Sequence, residues 1–258
     1  MKTVFAVGLG LVLLFYLGLC AWLFMMQRDL LYHPQPRMPV PGTKLSSLLT
    51  PAGPVHVTVW PGSETSPAES VVLYLGGNAE DTAASVPALA RAFPGHDIYA
   101  LHYRGWGGSA GSPTEAALVA DAIQWFDEVG KRHASVTVIG RSLGSGIAVQ
   151  LAAQRTVHRL VLVTPYDSVL SVVQRAFFLM PVSWLLKDRY MSVEMAPKVS
   201  APTLMVAAAE DNIIPPDHAT ALLNAFAPGI ARMVLLPGVG HNDISLHPDY
   251  WQLLAGRK

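Results

Sequence analysis

Ser142 stands in the pattern Gly140-Arg-Ser142-Leu-Gly144, after the apolar β-like run Val136–Ile139 and before a helix-like run from Ser145. A tight turn of this kind lifts a hydroxyl off a strand end into the open. The flanking glycines are needed because side chains there would collide in so sharp a turn. The helix that follows aims backbone N–H groups at a developing oxyanion. The chemistry such a serine could do is nucleophilic attack on a carbonyl, with a base and an orienting acid to activate it.

Both partners are expected after the serine in the order acid, then histidine. Thr203–Ala209 reads as a buried strand, and Glu210-Asp211-Asn212 follows it at once. Ala231–Leu236 reads as the next strand, followed by Pro237-Gly-Val-Gly-His241. Acid and base therefore both fall on loops just after apolar strands, where parallel sheets place their sites. Asp211 is the expected acid, with Glu210 its nearest competitor. His241 is the expected base. His218 and His247 lie in or beside helical stretches, and the six remaining histidines precede the acid or the nucleophile.

An oxyanion needs two backbone donors. One is expected at Leu143, directly after the serine. The other is expected on the Gly76-Gly77-Asn78-Ala79 loop after the strand Val71–Leu75, at Asn78 with Ala79 next. A second Gly-x-Ser-x-Gly match, Gly107-Gly-Ser109-Ala-Gly111, lacks the strand–turn–helix setting. It reads as a structural glycine-rich loop before a helix with Pro113 at its first position and Glu115 completing a capping box. Gly105-Trp-Gly107-Gly-Ser-Ala110 also fits a relaxed dinucleotide pattern, but the next strand ends at Ser142 and not at an acid.

These stretches resemble the α/β-hydrolases, in particular the membrane-tethered ABHD-type group that includes the fungal bud-emergence homologues. The resemblance rests on Leu30-Leu-Tyr-His-Pro34, Tyr74-Leu-Gly-Gly-Asn-Ala79, Tyr103-Arg-Gly-Trp-Gly-Gly-Ser-Ala-Gly-Ser-Pro113 and the Ser142 turn. It continues through Thr164-Pro-Tyr-Asp-Ser168, Ala208-Ala-Glu-Asp-Asn-Ile-Ile-Pro215 and Gly240-His-Asn-Asp243. One departure is visible: Gly76-Gly77-Asn78 stands where the family usually has His-Gly-Asn. The resemblance implies an α/β-hydrolase fold, with a mostly parallel central sheet, flanking helices and a short cap. It also implies a serine esterase, lipase-like or thioesterase activity, with peptidases among the relatives. A non-catalytic membrane-bound binding module is the alternative of another class. No metal or organic cofactor is implied, and the expected partners are an ester, thioester or lipid substrate and a membrane.

The elements that must position these residues read as one domain behind an anchor. With 258 residues, 51% hydrophobic and 14% charged, the chain can bury a large core. Zero net charge gives no reason to expect nucleic acid. The single cysteine, Cys20, lies in the first apolar segment, so the rest of the chain has neither disulfides nor a thiolate metal site. Thr3–Met26 carries no charge, proline or amide side chain. As a helix of about 36 Å it would cross a hydrocarbon core of about 30 Å. It lacks a small-x-small cleavage site, and Leu19 spoils the lipobox-like Leu17-Gly-Leu-Cys20. Lys2 before it and Arg28 and Arg37 after it do not fix its orientation, with a lean towards a domain outside the cytoplasm.

The expected division is therefore an N-terminal membrane anchor (residues 1–28), a Pro-rich spacer (29–54) and a catalytic domain (55–258). Strands are expected at 55–60 and from residue 71 in alternation with helices near 80–93, 113–132, 145–155, 216–226 and 247–255. Residues 168–198 interrupt that alternation and are rich in large apolar side chains. They are expected either to form a cap, with Phe177, Phe178 and Trp184 lining a substrate pocket, or to fill core as a pair of helices, and Trp106 either to line that pocket or to pack beneath the loop.

Overall fold

The computed structural model describes residues 2–62 and 68–258. Eight strands form one sheet in the order β1-β2-β4-β3-β5-β6-β7-β8. β1 (Lys44–Thr50) and β2 (Gly53–Trp60) form an antiparallel hairpin, and β2 pairs antiparallel with β4 (Asp97–Leu101). The pairs among β3 (Ser70–Leu75), β4, β5 (Ser135–Arg141), β6 (Arg159–Val163), β7 (Thr203–Ala208) and β8 (Ala231–Leu236) are all parallel. The central strands are apolar on both faces because both faces are covered. In β3, Val71, Leu73 and Leu75 enter one core, while Val72 and Tyr74 enter the other.

The first core lies under α3 (Glu115–Gly130), α4 (Leu143–Ala152) and α8 (Pro216–Ala225), with Leu118, Trp125, Leu151 and Leu222 buried in it. The second lies under α2 (Thr82–Ala92) and α9 (Tyr250–Leu254), around Val86, Leu89, Leu253 and Leu254. Between β6 and β7 come α5 (Val169–Ala176), α6 (Val182–Leu185) and α7 (Ser192–Met195), the segment expected as a cap.

The N-terminal helix α1 spans Lys2–Leu31 and is long and apolar enough to cross a membrane, with a mean hydropathy of 2.5 over its most apolar 18 residues. By length and composition it could be a membrane anchor or a signal sequence.

Two expectations need correction. The Pro-rich stretch 29–54 is not only a spacer, because Lys44–Thr50 forms the edge strand β1 in full register with β2. Its start is also docked on the domain. Tyr32 is buried, and Met38 donates its N–H to Asp81. Helix α3 is capped not by Ser112 but by Thr114, whose hydroxyl accepts from the Ala117 N–H. Glu115 then sits at the first helical position, too early to close a capping box. Its carboxylate instead accepts from the Gln150 side chain and the Arg189 N–H.

Candidate active site

Ser142 occupies the junction between β5 and α4 with φ 50° and ψ −116°. A non-glycine residue rarely holds this conformation, so its neighbours must enforce it. They do so by close approach. A Cβ on Gly144 would lie 2.1 Å from the Leu75 carbonyl oxygen, and one on Gly140 would lie 2.4 Å from that of Gly144. The two glycines thus let the end of β5, the start of α4 and the end of β3 share one small space. The Ser142 N–H donates to the Val163 carbonyl, and the Ser142 carbonyl accepts from Ser145 Oγ at 2.6 Å.

The structure brings Ser142, His241 and Asp211 together across 99 residues of chain. Ser142 Oγ lies 2.9 Å from His241 Nε2, and His241 Nδ1 lies 2.7 Å from Asp211 Oδ2. The other carboxylate oxygen, Oδ1, accepts the N–H groups of Ile213 (2.9 Å) and Ile214 (2.7 Å). Those two bonds leave Oδ2 free to face the imidazole. With the Nδ1 proton directed at Asp211, the Nε2 lone pair faces the serine hydroxyl. Both His241 and Asp211 are buried, whereas Glu210, the alternative acid, is exposed.

The loop after β3 lies beside the serine. A Cβ on Gly77 would stand 3.7 Å from the Ser142 Cβ. The Gly77 N–H is occupied, donating to Glu80 Oε2 at 2.7 Å. Among the described residues no protein acceptor meets the N–H groups of Asn78, Ala79 or Leu143. The loop is held from several sides. Tyr103 donates its hydroxyl to the Gly76 carbonyl, and the Asn78 side chain bridges the Leu31 carbonyl and the His33 N–H.

Trp106 is 2% exposed. Its indole N–H donates to the Asn78 carbonyl at 3.0 Å, and its ring meets Tyr32 and Tyr103 edge-on. It therefore braces the loop from behind and offers no surface to a ligand, contrary to the expectation of a pocket wall. The cap aromatics differ from expectation in the opposite way. Phe178 and Trp184 are 80% and 85% exposed, and only Phe177 lines a cavity.

Glu80 and Arg141 belong to the site, and sequence reasoning missed them. Glu80 Oε1 accepts from the Tyr74 hydroxyl (2.7 Å) and from Ser85 Oγ (2.6 Å), while Oε2 holds Gly77. Arg141 stands 3.5 Å from Glu80 and donates to the Asn242 carbonyl at 3.3 Å. One guanidinium thus ties the loop beside Ser142 to the loop that carries His241. Burial and the adjacent Glu80 carboxylate push the Tyr74 phenol far above its ordinary range, so it remains a donor. The only available signals were an acid three residues after Gly77 and a cation within the Gly-x-Ser-x-Gly turn. The second match is structural: Ser109 is buried, donating to the His102 carbonyl and accepting from the His56 N–H.

A family model described as alpha/beta hydrolase fold matches residues 71–190. An uncharacterized protein of Mycobacterium tuberculosis is 34% identical over 244 residues, covering 89% of this chain and 85% of its own. The chain has the α/β-hydrolase fold. The chain is also similar to the alpha/beta hydrolase domain-containing protein aho-3 of Caenorhabditis elegans. The identity there is 31% over 162 residues, 61% of this chain and 47% of that one. Among solved structures, a Pyrococcus furiosus esterase superposes on the chain with a TM-score of 0.67 at 15% identity, covering 88% of this chain and 97% of that one. The 2,6-dihydroxy-pseudo-oxynicotine hydrolase gives 0.67 at 14% identity, covering 92% and 70%. Such identities speak for a shared fold alone.

Proposed function

We propose that this protein is a membrane-anchored serine hydrolase that cleaves carboxylic esters or thioesters of acyl or lipid substrates. The observation that carries the reading is the unbroken chain from Ser142 Oγ through the His241 imidazole to Asp211, at 2.9 and 2.7 Å. His241 Nε2 takes the hydroxyl proton as Ser142 Oγ attacks the substrate carbonyl. Asp211 orients the ring and stabilises its protonated form. The N–H groups of Leu143 and Asn78, with Ala79 next, hold the oxyanion. Collapse of the tetrahedral intermediate expels the alcohol or thiol, which takes the proton from His241. Water, losing its proton to His241, then attacks the acyl-serine and releases the carboxylic acid.

The anchor reading draws support from the docking of α1, because Arg28 pairs with Asp188 at 2.9 Å and Gln27 bonds both Leu185 and Lys187. A helix removed as a signal sequence would leave the buried Asp188 without that cation.

The test is hydrolysis of p-nitrophenyl esters from acetyl to palmitoyl by full-length protein in phosphatidylcholine vesicles. Ser142→Ala is expected to lower kcat by about 10⁴-fold or more, as removal of a triad nucleophile does, with the unfolding transition retained. Turnover that survives Ser142→Ala, or no ester turnover in the wild type, would overturn the reading.

A further inference from the structure

Helix α1 does more than end near the domain. Five of its residues touch the cap in order along one stripe. Tyr16 donates its hydroxyl to the Leu179 carbonyl, Cys20 Sγ lies 3.9 Å from Met180 Sδ, and Phe24 lies under the Lys187 ammonium, 4.1 Å away. Gln27 bonds Leu185 and Lys187, and Arg28 pairs with Asp188. The spacing 16, 20, 24, 27, 28 is one face of a helix.

The distance from Arg28 down to Tyr16 is about 18 Å at 1.5 Å per residue. Tyr16 lies within the uncharged stretch Thr3–Met26. If that stretch crosses a bilayer, the cap tip at Phe177–Met180 descends beside it into the hydrocarbon. The tip is built for such a place. Phe178, Leu179 and Trp184 are exposed large apolar residues. Irregular backbone at that depth must have its polar groups paired. Here the Leu179 and Leu185 carbonyls take donors from α1 side chains, and the N–H groups of Phe177, Met180, Val182, Trp184, Leu185 and Leu186 find carbonyls within the cap, whereas among the described residues those of Phe178 and Leu179 meet no acceptor. Lys187, Arg28 and Asp188 collect at the other end, at the polar edge.

Between stripe and cap lies an apolar cavity of about 280 Å³, walled by Leu23, Leu30 and Leu31 of α1 and by Val173, Phe177 and Leu186 of the cap. Its upper end is Leu31, whose carbonyl accepts the Asn78 side chain. Asn78 is on the loop beside Ser142. The cavity is therefore tied through Leu31 and the Asn78 side chain to the loop beside the nucleophile. We propose that the groove between α1 and the cap is the acyl-binding site, which takes the hydrocarbon chain of a bilayer lipid laterally from the membrane. The anchor is then one wall of the substrate site. This rests on the serine-hydrolase reading above and names the substrate class for it.

Two measurements test it on full-length protein in phosphatidylcholine vesicles. In the first, Leu23→Trp fills the groove from the α1 side, and the ratio of p-nitrophenyl palmitate to butyrate turnover is compared with the wild type. A fall in that ratio of about tenfold or more is expected, and none for Leu13→Trp on the same helix outside the groove. An unchanged ratio in Leu23→Trp overturns the groove. In the second, palmitate carrying a diazirine near its methyl end is photolysed with Ser142→Ala protein, which needs no turnover. Adducts within 23–31 and 173–186 that Leu23→Trp removes are the expected result. Adducts elsewhere, or adducts indifferent to Leu23→Trp, overturn it. If the wild type hydrolyses no ester at all, the hydrolase reading fails by itself and the photolysis alone decides the groove.

Discussion

Glu80 accepts three hydrogen bonds and faces one cation, so its carboxylate fixes the backbone of the loop beside Ser142 without reaching the substrate. Glu80→Gln keeps the shape but turns one oxygen into a donor facing donors. Full loss of an oxyanion donor costs about 10²–10³ in kcat. A loop that is loosened with its donors still present is expected to lose less, on the order of tenfold in kcat, with KM little changed. Steady-state kinetics on a short-chain ester checks this. A loss in kcat/KM carried by KM alone, with kcat unchanged, would place Glu80 in substrate binding. The strand–helix turn at Ser142 was legible at this scale because it declares itself in five consecutive residues. The Ser109 match carries the same pattern, and only the missing strand–turn–helix setting separates the two. Glu80 and Arg141 were not legible, since a carboxylate three residues from a glycine means nothing until the chain brings Arg141 and Tyr74 to it.

Outside residues 168–198, whose helices α5, α6 and α7 were not read, the helices and strands from residue 70 onward were read within a few residues, because apolar runs alternate with amphipathic ones. β1 was not read. Its burial pattern is that of an exposed edge, with Leu49 facing solvent, and prolines stand on either side of it. Nothing in Lys44–Thr50 except its pairing with β2 makes it a strand. The segment expected as a cap holds α5, α6 and α7, and its aromatics were assigned to a pocket on composition. Composition does not say which way a side chain points. An element-scale prediction concerns the glycine-rich loop after β4. Arg104 holds it to α3 by a bidentate pair with the buried Asp121, at 2.6 and 2.7 Å. Removing one partner of a buried pair leaves an uncompensated charge and costs about 3–5 kcal/mol. Asp121→Ala is expected to lower the urea midpoint accordingly, while the distant surface substitution Lys258→Ala leaves it within error.

The whole molecule has a pH dependence written into His102. This side chain is buried between Thr58 and Thr82, and burial pushes it down to about 4. Between about pH 6.5 and pH 4 the unfolded chain takes up a proton that the folded state refuses. The contribution is therefore intact above pH 6.5 and is lost as the pH falls towards 4, by up to about 3 kcal/mol at 1.4 kcal/mol per unit. Urea midpoints measured at pH 7.5 and pH 4.5 should differ in this sense. His102→Gln, which cannot titrate, should narrow the gap, and an equal gap in both proteins would assign the acid sensitivity to other groups.

The Asn78 amide, bonded to Leu31 on one side and His33 on the other, has a practical consequence for anyone preparing this protein. A soluble version trimmed to begin near Leu30 keeps those two backbone atoms but loses the helix that holds them still. If the proposed groove is right, its kinetics would describe a catalyst with a slackened loop and half that groove. If α1 is the proposed anchor, detergent choice has the same weight, because whatever coats α1 in the micelle also competes for the space beside it. Nanodiscs, which would keep such an anchor among lipid chains, are then the medium in which rates for this chain should first be recorded.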